Sequence, residues 1–142
     1  MRALLDVNVL VALLDAGHIH HAAASRWLGE RIGAGWASTP LTQIGCLRLL
    51  SLPTYPRPQP LAAVAARLRE ATGTPHHAFW SDEPSVLDES VIDTRWLLSS
   101  RQVSDACLLA LAVRREGVFV TFDRGVDLRL VRGAEPRHLA LV

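Results

Sequence analysis

The sequence predicts an α/β domain built on a largely parallel sheet. Two observations carry this. Short apolar runs of strand length alternate along the chain with longer segments of helical spacing. Two of those runs end in an acid: residues 2–5 (RALL) are closed by Asp6, and residues 118–122 (VFVTF) by Asp123. In an open parallel sheet these are the positions that face a ligand, because ligands bind outside the carboxyl ends of the strands. The 142 residues are enough for one core, so a single domain spanning 1–142 is expected.

Each element has its own local reason. Residues 2–6 read as a short buried strand, and 7–15 continue as a helix that Asp15-Ala16-Gly17 breaks. From His18 to Ile32, Ala22, Ala23, Trp27, Leu28 and Ile32 recur at helical spacing, and residues 33–35 (GAG) make a turn. Residues 36–38 (WAS) read as a second strand. Thr39 can then cap a helix that has Pro40 in its first position and runs through Ile44, Leu47 and Leu50. Residues 51–60 hold four prolines and form a loop, the nearest thing to a linker. Leu61–Ala71 is an Ala-rich helix, and 77–80 reads as a third strand. The acidic stretch 81–95 is expected to be a solvated loop with one helical turn near Val86. Gln102–Glu116 is the clearest helix, with Gly117 as its cap, and leads into strand 118–122. Residues 137–142 read as a last edge strand.

Composition narrows the function classes. Hydrophobic residues make up 49% and charged residues 20%, a folded rather than a disordered balance. The net charge of +1 gives no global field that would by itself announce a nucleic-acid binder. All 15 basic residues are Arg, so lysine chemistry is excluded. Cys46 and Cys107 fall in apolar helical patterns as small hydrophobes, without a CxxC motif. The three apolar residues between Arg2 and Asp6 do not make a secretory signal, and no apolar run approaches the length of about 18 residues that spans a membrane. A soluble cytoplasmic protein with no membrane partner is the expectation.

The acids point to a metal. Asp105 lies in the first turn of the helix that feeds strand 118–122, where free N–H groups tolerate negative charge. Taken singly, Asp105 reads as a helix-start acid and Asp123 as a turn acid before Gly125. Asp6, set between apolar runs, is harder to explain structurally, because burying an unpartnered carboxylate is costly. Strand ends and helix starts share one edge of a parallel sheet, so the three carboxylates converge there and need a counter-charge. A hard divalent cation, Mg²⁺ or Mn²⁺, held by oxygen ligands supplies one. Asn8 and Thr121 add neutral oxygen atoms near the same edge.

Four stretches in order, LLDVNVLVALLD, TPLTQIGCLRLL, RQVSDACLLALAVRREG and VFVTFDRG, resemble the PIN-domain ribonucleases, and specifically VapC toxins of bacterial toxin–antitoxin modules. The resemblance spans almost the whole chain and implies a three-layer α/β/α domain around a mostly parallel sheet. It implies a toxic Mg²⁺- or Mn²⁺-dependent endoribonuclease that cleaves phosphodiesters with a metal-activated water. Carried onto this chain, Asp6, Asp105 and Asp123 are the catalytic, metal-holding acids, and Asn8 and Thr121 support them by hydrogen bonding. A VapB-like antitoxin, an RNA substrate and a homodimer follow as partners, with helices 40–50 and 61–71 as the dimer surface. The second motif departs from the family pattern, because Gln43 stands where a Glu is usual; this keeps an oxygen ligand and removes a negative charge.

Arg101, with Gln102, and Arg124 flank the acids and are positioned to meet RNA phosphate; an ordinary surface role is the alternative for each arginine. Asp127 is close enough to Asp123 to act as an outer ligand. His18, His20 and His21 are read as solvated helix-start residues, because their spacing does not place all three on one helix face. Trp27, Trp36, Trp80 and Trp96 read as core or interface residues, with RNA or partner contact the alternative for Trp80 and Trp96, and RNA specificity would reside in the loops 51–60 and 76–100. A haloacid-dehalogenase-type phosphatase needs a second acid where Asn8 stands and a downstream lysine. A receiver domain also needs lysine, and no P-loop motif is present. The rival that survives is a PIN-like module that has weakened catalysis and acts by binding RNA or a partner.

Overall fold

The computed structural model describes residues 1–142. Five strands, β1 (Ala3–Leu5), β2 (Trp36–Ser38), β3 (His77–Phe79), β4 (Val118–Thr121) and β5 (Leu139–Leu141), pair in parallel in the order β3-β2-β1-β4-β5. Five helices connect or flank them: α1 (Val7–Leu14), α2 (His21–Arg31), α3 (Pro40–Ser51), α4 (Leu61–Thr72) and α5 (Gln102–Arg114). The expected α/β/α layering is observed.

Alternation along the strands builds two cores. Ala3 and Leu5 of β1 and Val120 of β4 face one side, packed with Val9, Leu10, Cys46, Leu50, Val64 and Leu68 from α1, α3 and α4. Leu4 and Phe119 face the other side, where α5 buries Leu108, Leu109 and Leu111. Each such side chain taken fully from water contributes about 1.5–3 kcal/mol. Gly45 sets the close approach of α3 to α1, since a Cβ there would lie 2.5 Å from Val7 Cγ2.

The strand order places the site. From β1 the chain winds outward through β2 and β3 with α1–α4 on one face; it then crosses with α5 on the other face to β4 and β5. The winding direction therefore reverses between β1 and β4. At such a switch point the loops after two neighbouring strands diverge and leave a crevice at the carboxyl edge. Asp6 follows β1 and Asp123 follows β4.

Local punctuation was read well where it is purely local. Thr39 and Thr42 form the reciprocal cap of α3: the Thr42 N–H donates to Thr39 Oγ1 and the Thr39 N–H to Thr42 Oγ1, with Pro40 in the first turn. Other boundaries moved. α2 begins at His21 rather than His18, because Asp15 organises residues 15–18 as a turn through the Gly17 N–H and the His18 N–H. α5 stops at Arg114, and Glu116, not Gly117, takes the left-handed conformation with φ of 52°. Gly117 is needed instead for space: a Cβ would meet Arg2 O and Trp80 Cη2, both at 2.8 Å. At Val86 the chain makes a single hydrogen-bonded turn, Asp88 N–H to Ser85 O at 3.1 Å, and a 3₁₀ turn forms at Thr94–Trp96, capped by Asp93.

The acidic stretch is anchored rather than solvated. Asp82 accepts the Leu41 N–H at the start of α3, and Glu83 pairs with Arg114 and Arg115. Asp93 is buried and held by Arg95 and Arg132. Arg114 and Arg115, at the end of α5, and Arg132 are distant in sequence from the acids they pair with, whereas Arg95 is two residues from Asp93. Trp80 is buried in the core, and the Trp96 ring is covered by Arg129, whose guanidinium carbon lies 3.7 Å from the ring centroid. No helix is long and apolar enough to cross a membrane.

Candidate active site

Asp6 caps α1 directly. Its Oδ1 accepts the Val7 N–H at 2.7 Å, and its Oδ2 accepts the Thr121 hydroxyl at 2.6 Å. The Thr121 oxygen in turn accepts from Asn8 Nδ2 at 3.3 Å and from the Asp123 N–H at 3.1 Å. One hydroxyl donates once and accepts twice, its full capacity. This arrangement also orients Asn8: its Nδ2 takes the Thr121 bond, and its Oδ1 is left buried with no partner.

Asp105 enters from the other face, on the first turn of α5, and is only 6% exposed. Burial, then the charges of Asp6 and Asp123, push its pKa up to about 6, and Arg101 offsets this in part. Burial also raises Asp6 above the usual carboxylate range; the Thr121 and Val7 bonds oppose this, and Asp123 adds to it. The carboxylates therefore sense one another across the crevice. Asp123 is half-buried, and its Oδ1 accepts the Gly125 N–H at 2.7 Å.

Asp105, Asp123, Arg101, Gln102, Ser99 and Gly125 line one cleft. Gln102 is not free to meet a ligand as its position suggested: its Oε1 accepts the Leu98 and Ser99 N–H groups and folds that segment over the start of α5. The sequence signal for this was available, a Gln opening a helix after two serines.

Gln43 is not brought to this cleft. Its amide donates to Ser38 Oγ at 3.0 Å, and Ser38 Oγ also lies 2.8 Å from His77 Nε2. The Gln43 side chain lines a different groove, between α3 and α4, with Leu47, Leu68, Arg69 and Thr72. Arg124 is exposed beside Asp123 but does not line the cleft. Asp127 is paired with Arg129 and caps a 3₁₀ turn at Leu128–Leu130.

The sequence profile of the PIN domain matches residues 3–131. The chain belongs to the PIN-domain family. This PIN domain is 51% identical over 140 residues to Ribonuclease VapC44 of Mycobacterium tuberculosis, covering 99% of both chains. It is 42% identical to Ribonuclease VapC39 of the same organism over 87% of this chain and 89% of that one. The crystal structure of M. tuberculosis VapC20, described as a sarcin–ricin loop cleaving toxin, matches with a TM-score of 0.62. That match covers 87% of this chain and 91% of the other at 17% identity, a likeness of fold.

The donor chemistry of this PIN domain suits a hard cation. The acidic groups of the cleft, Asp105 and Asp123, offer carboxylate oxygens without sulfur or imidazole. Asn8 Oδ1, beside Thr121, is a buried acceptor with nothing to accept. No three acidic, His or Cys side chains are already drawn to a common ligand distance. The fit to a hard cation therefore rests on the oxygen donor types and not on a preformed ligand cluster.

Proposed function

We propose that this PIN domain is a VapC-type toxin: a Mg²⁺- or Mn²⁺-dependent endoribonuclease, cytoplasmic, silenced by a VapB-like antitoxin and acting as a homodimer. The convergence of Asp6, Asp105 and Asp123 at the β1/β4 switch point carries this reading, and whole-length similarity to VapC ribonucleases supports it. The cation would be held by Asp105, Asp123 and Asp6, with Asn8 Oδ1 available to it or to one of its waters. When bound, it supplies a Lewis acid and lowers the pKa of water.

The protein's own groups do the rest. Thr121 holds the Asp6 carboxylate in one orientation and ties it to the backbone of Asp123. Burial and the charges of Asp6 and Asp123 raise the pKa of Asp105 in the cation-free protein, a cost that a bound cation would relieve. Arg101 is the cation that lines the cleft beside both acids and is placed to pair with a phosphate oxygen. Arg124, exposed one residue beyond Asp123, is suited to the next phosphate along. Ile44 and Leu61, each more than half exposed on α3 and α4, support a dimer surface there.

The deciding experiment is cleavage of total cellular RNA by antitoxin-free protein with Mg²⁺ or Mn²⁺, beside Asp6→Asn and EDTA controls, with the cut ends mapped. Discrete cuts lost in both controls establish the nuclease and its target. Folded protein that cuts nothing would favour the second reading, a PIN-like RNA- or partner-binding module. The position of Gln43, which leaves the second motif without an acid in the cleft, is the observation behind that rival.

A further inference from the structure

His20, exposed, and His21 open α2 as expected, and His18 lies partly buried in the turn before it. His20 lies with its ring centroid 4.7 Å from that of Phe122, and the His18 ring is nearly parallel to Phe122, at 15° and 6.4 Å. Phe122 is the residue before Asp123. The loop that carries the rings is held firmly. Asp15, buried, accepts the Gly17 N–H and is gripped by Tyr55 and Arg57; the His20 N–H donates to His18 Nδ1. A Cβ at Gly17 would lie 2.6 Å from Arg57 Nε, so a side chain there would displace Arg57 from Asp15. Yet the loop's tip is open: His20 is exposed and Ile19 is 87% exposed.

We propose that His20, backed by Phe122 and His18, is a stacking platform for an RNA base next to the scissile phosphate. This rests on the ribonuclease reading above. Phe122 packs with the α1–α4 face of the sheet, whereas α5 with Asp105 and Arg101 covers the other. The platform and the α5 cleft thus flank Asp123 from opposite faces. A single strand whose phosphate sits at the acids extends past Arg101 on one side and over His20 on the other. Imidazole and phenyl rings take any base by its π-face, and a preformed loop loses little entropy on binding. The platform orders the base beside the cut without touching the reacting atoms, so it is a positioning and specificity element.

The test uses a short RNA that contains the mapped cut site, and versions with one nucleotide on either side made abasic. Wild type is expected to lose about tenfold in kcat/KM, through KM, for one abasic position. His20→Ala should show the same loss with intact RNA and no further loss with abasic RNA, and His20→Phe should restore discrimination. Equal kcat/KM for wild type and His20→Ala on intact RNA would overturn the platform. Should wild type cut nothing, the ribonuclease reading fails separately. Binding of a labelled single-stranded RNA in EDTA then decides the platform: about tenfold weaker binding by His20→Ala supports it, and unchanged binding overturns it.

Discussion

The Thr121 hydroxyl donates to Asp6 Oδ2 at 2.6 Å, across 115 residues of chain and between the two strands that flank the switch point. This bond makes the first acid part of a network with Asn8 and the Asp123 backbone.

Thr121→Val keeps the shape and removes the network's only hydroxyl. It leaves a buried carboxylate short of a donor and the Asp123 N–H short of an acceptor. Stability should fall by about 1–3 kcal/mol in urea unfolding. RNA cleavage should fall at least about tenfold, and Thr121→Ser should recover most of both.

Asp105 is strained by its own charge when no cation is bound. Its pKa in the folded protein, about 6, lies above the ordinary 3.8. Its favourable contribution is therefore complete below pH 4 and is lost as pH rises through 6. Asp105→Asn should make the metal-free protein more stable at pH 7.5, by about 2 kcal/mol, and equal to wild type below pH 4. Added Mn²⁺ should then stabilise wild type and not the variant. Urea titrations with EDTA and with Mn²⁺ check both halves.

Gln43→Glu restores the usual family residue but not its charge to the cleft, because position 43 points to Ser38 and the α3–α4 groove. Calorimetric titration should show Mn²⁺ affinity within about twofold of wild type. Stability should fall by about 1 kcal/mol, since Glu cannot donate to Ser38 Oγ. A tenfold gain in affinity would mean that α3 turns in solution.

The Asp15 clamp ties the proline-rich loop to the end of α1. The Arg57 hydrogen bond, with those of Tyr55 and the Gly17 N–H, holds Asp15 well below the usual carboxylate range. That contribution is present above about pH 4 and declines as pH falls further. Tyr55→Phe should cost about 1–2 kcal/mol at pH 7. Asp15→Asn should be less stable than wild type at pH 7, with the difference shrinking between pH 4 and pH 2 in thermal melts.

The candidate site was partly legible because its acids close recognisable strands or open a recognisable helix. Asp6, Asp105 and Asp123 could be found from position alone, and Thr121 and Asn8 from the polar atoms beside them. Gln43 could not be placed, because a helix position names a residue but not the neighbour its side chain meets. His18, His20 and His21 read as solvated residues at a helix start, which holds for His20 at the cap of α2; the ring that His18 and His20 meet, Phe122, is a hundred residues away.

By itself the sequence determined the alternation of strands and helices, the cap at Thr39, the parallel sheet and the three acids at its carboxyl edge. These follow from periodicity and from chemistry within a few residues, and near neighbours dictate them. Only the tertiary structure decided that Thr121 is a saturated hub and that Asn8 Oδ1 is left free. It alone decided that Gln43 faces away, that Asp15 is paired by Arg57 from a distant segment and Asp93 joined by Arg132 as well as by its near neighbour Arg95, and that two histidines rest on Phe122. Each of those depends on the register of strands and the packing of helices far apart in the chain. There the energy of burying charge and aromatic surface, not local preference, selects the partner.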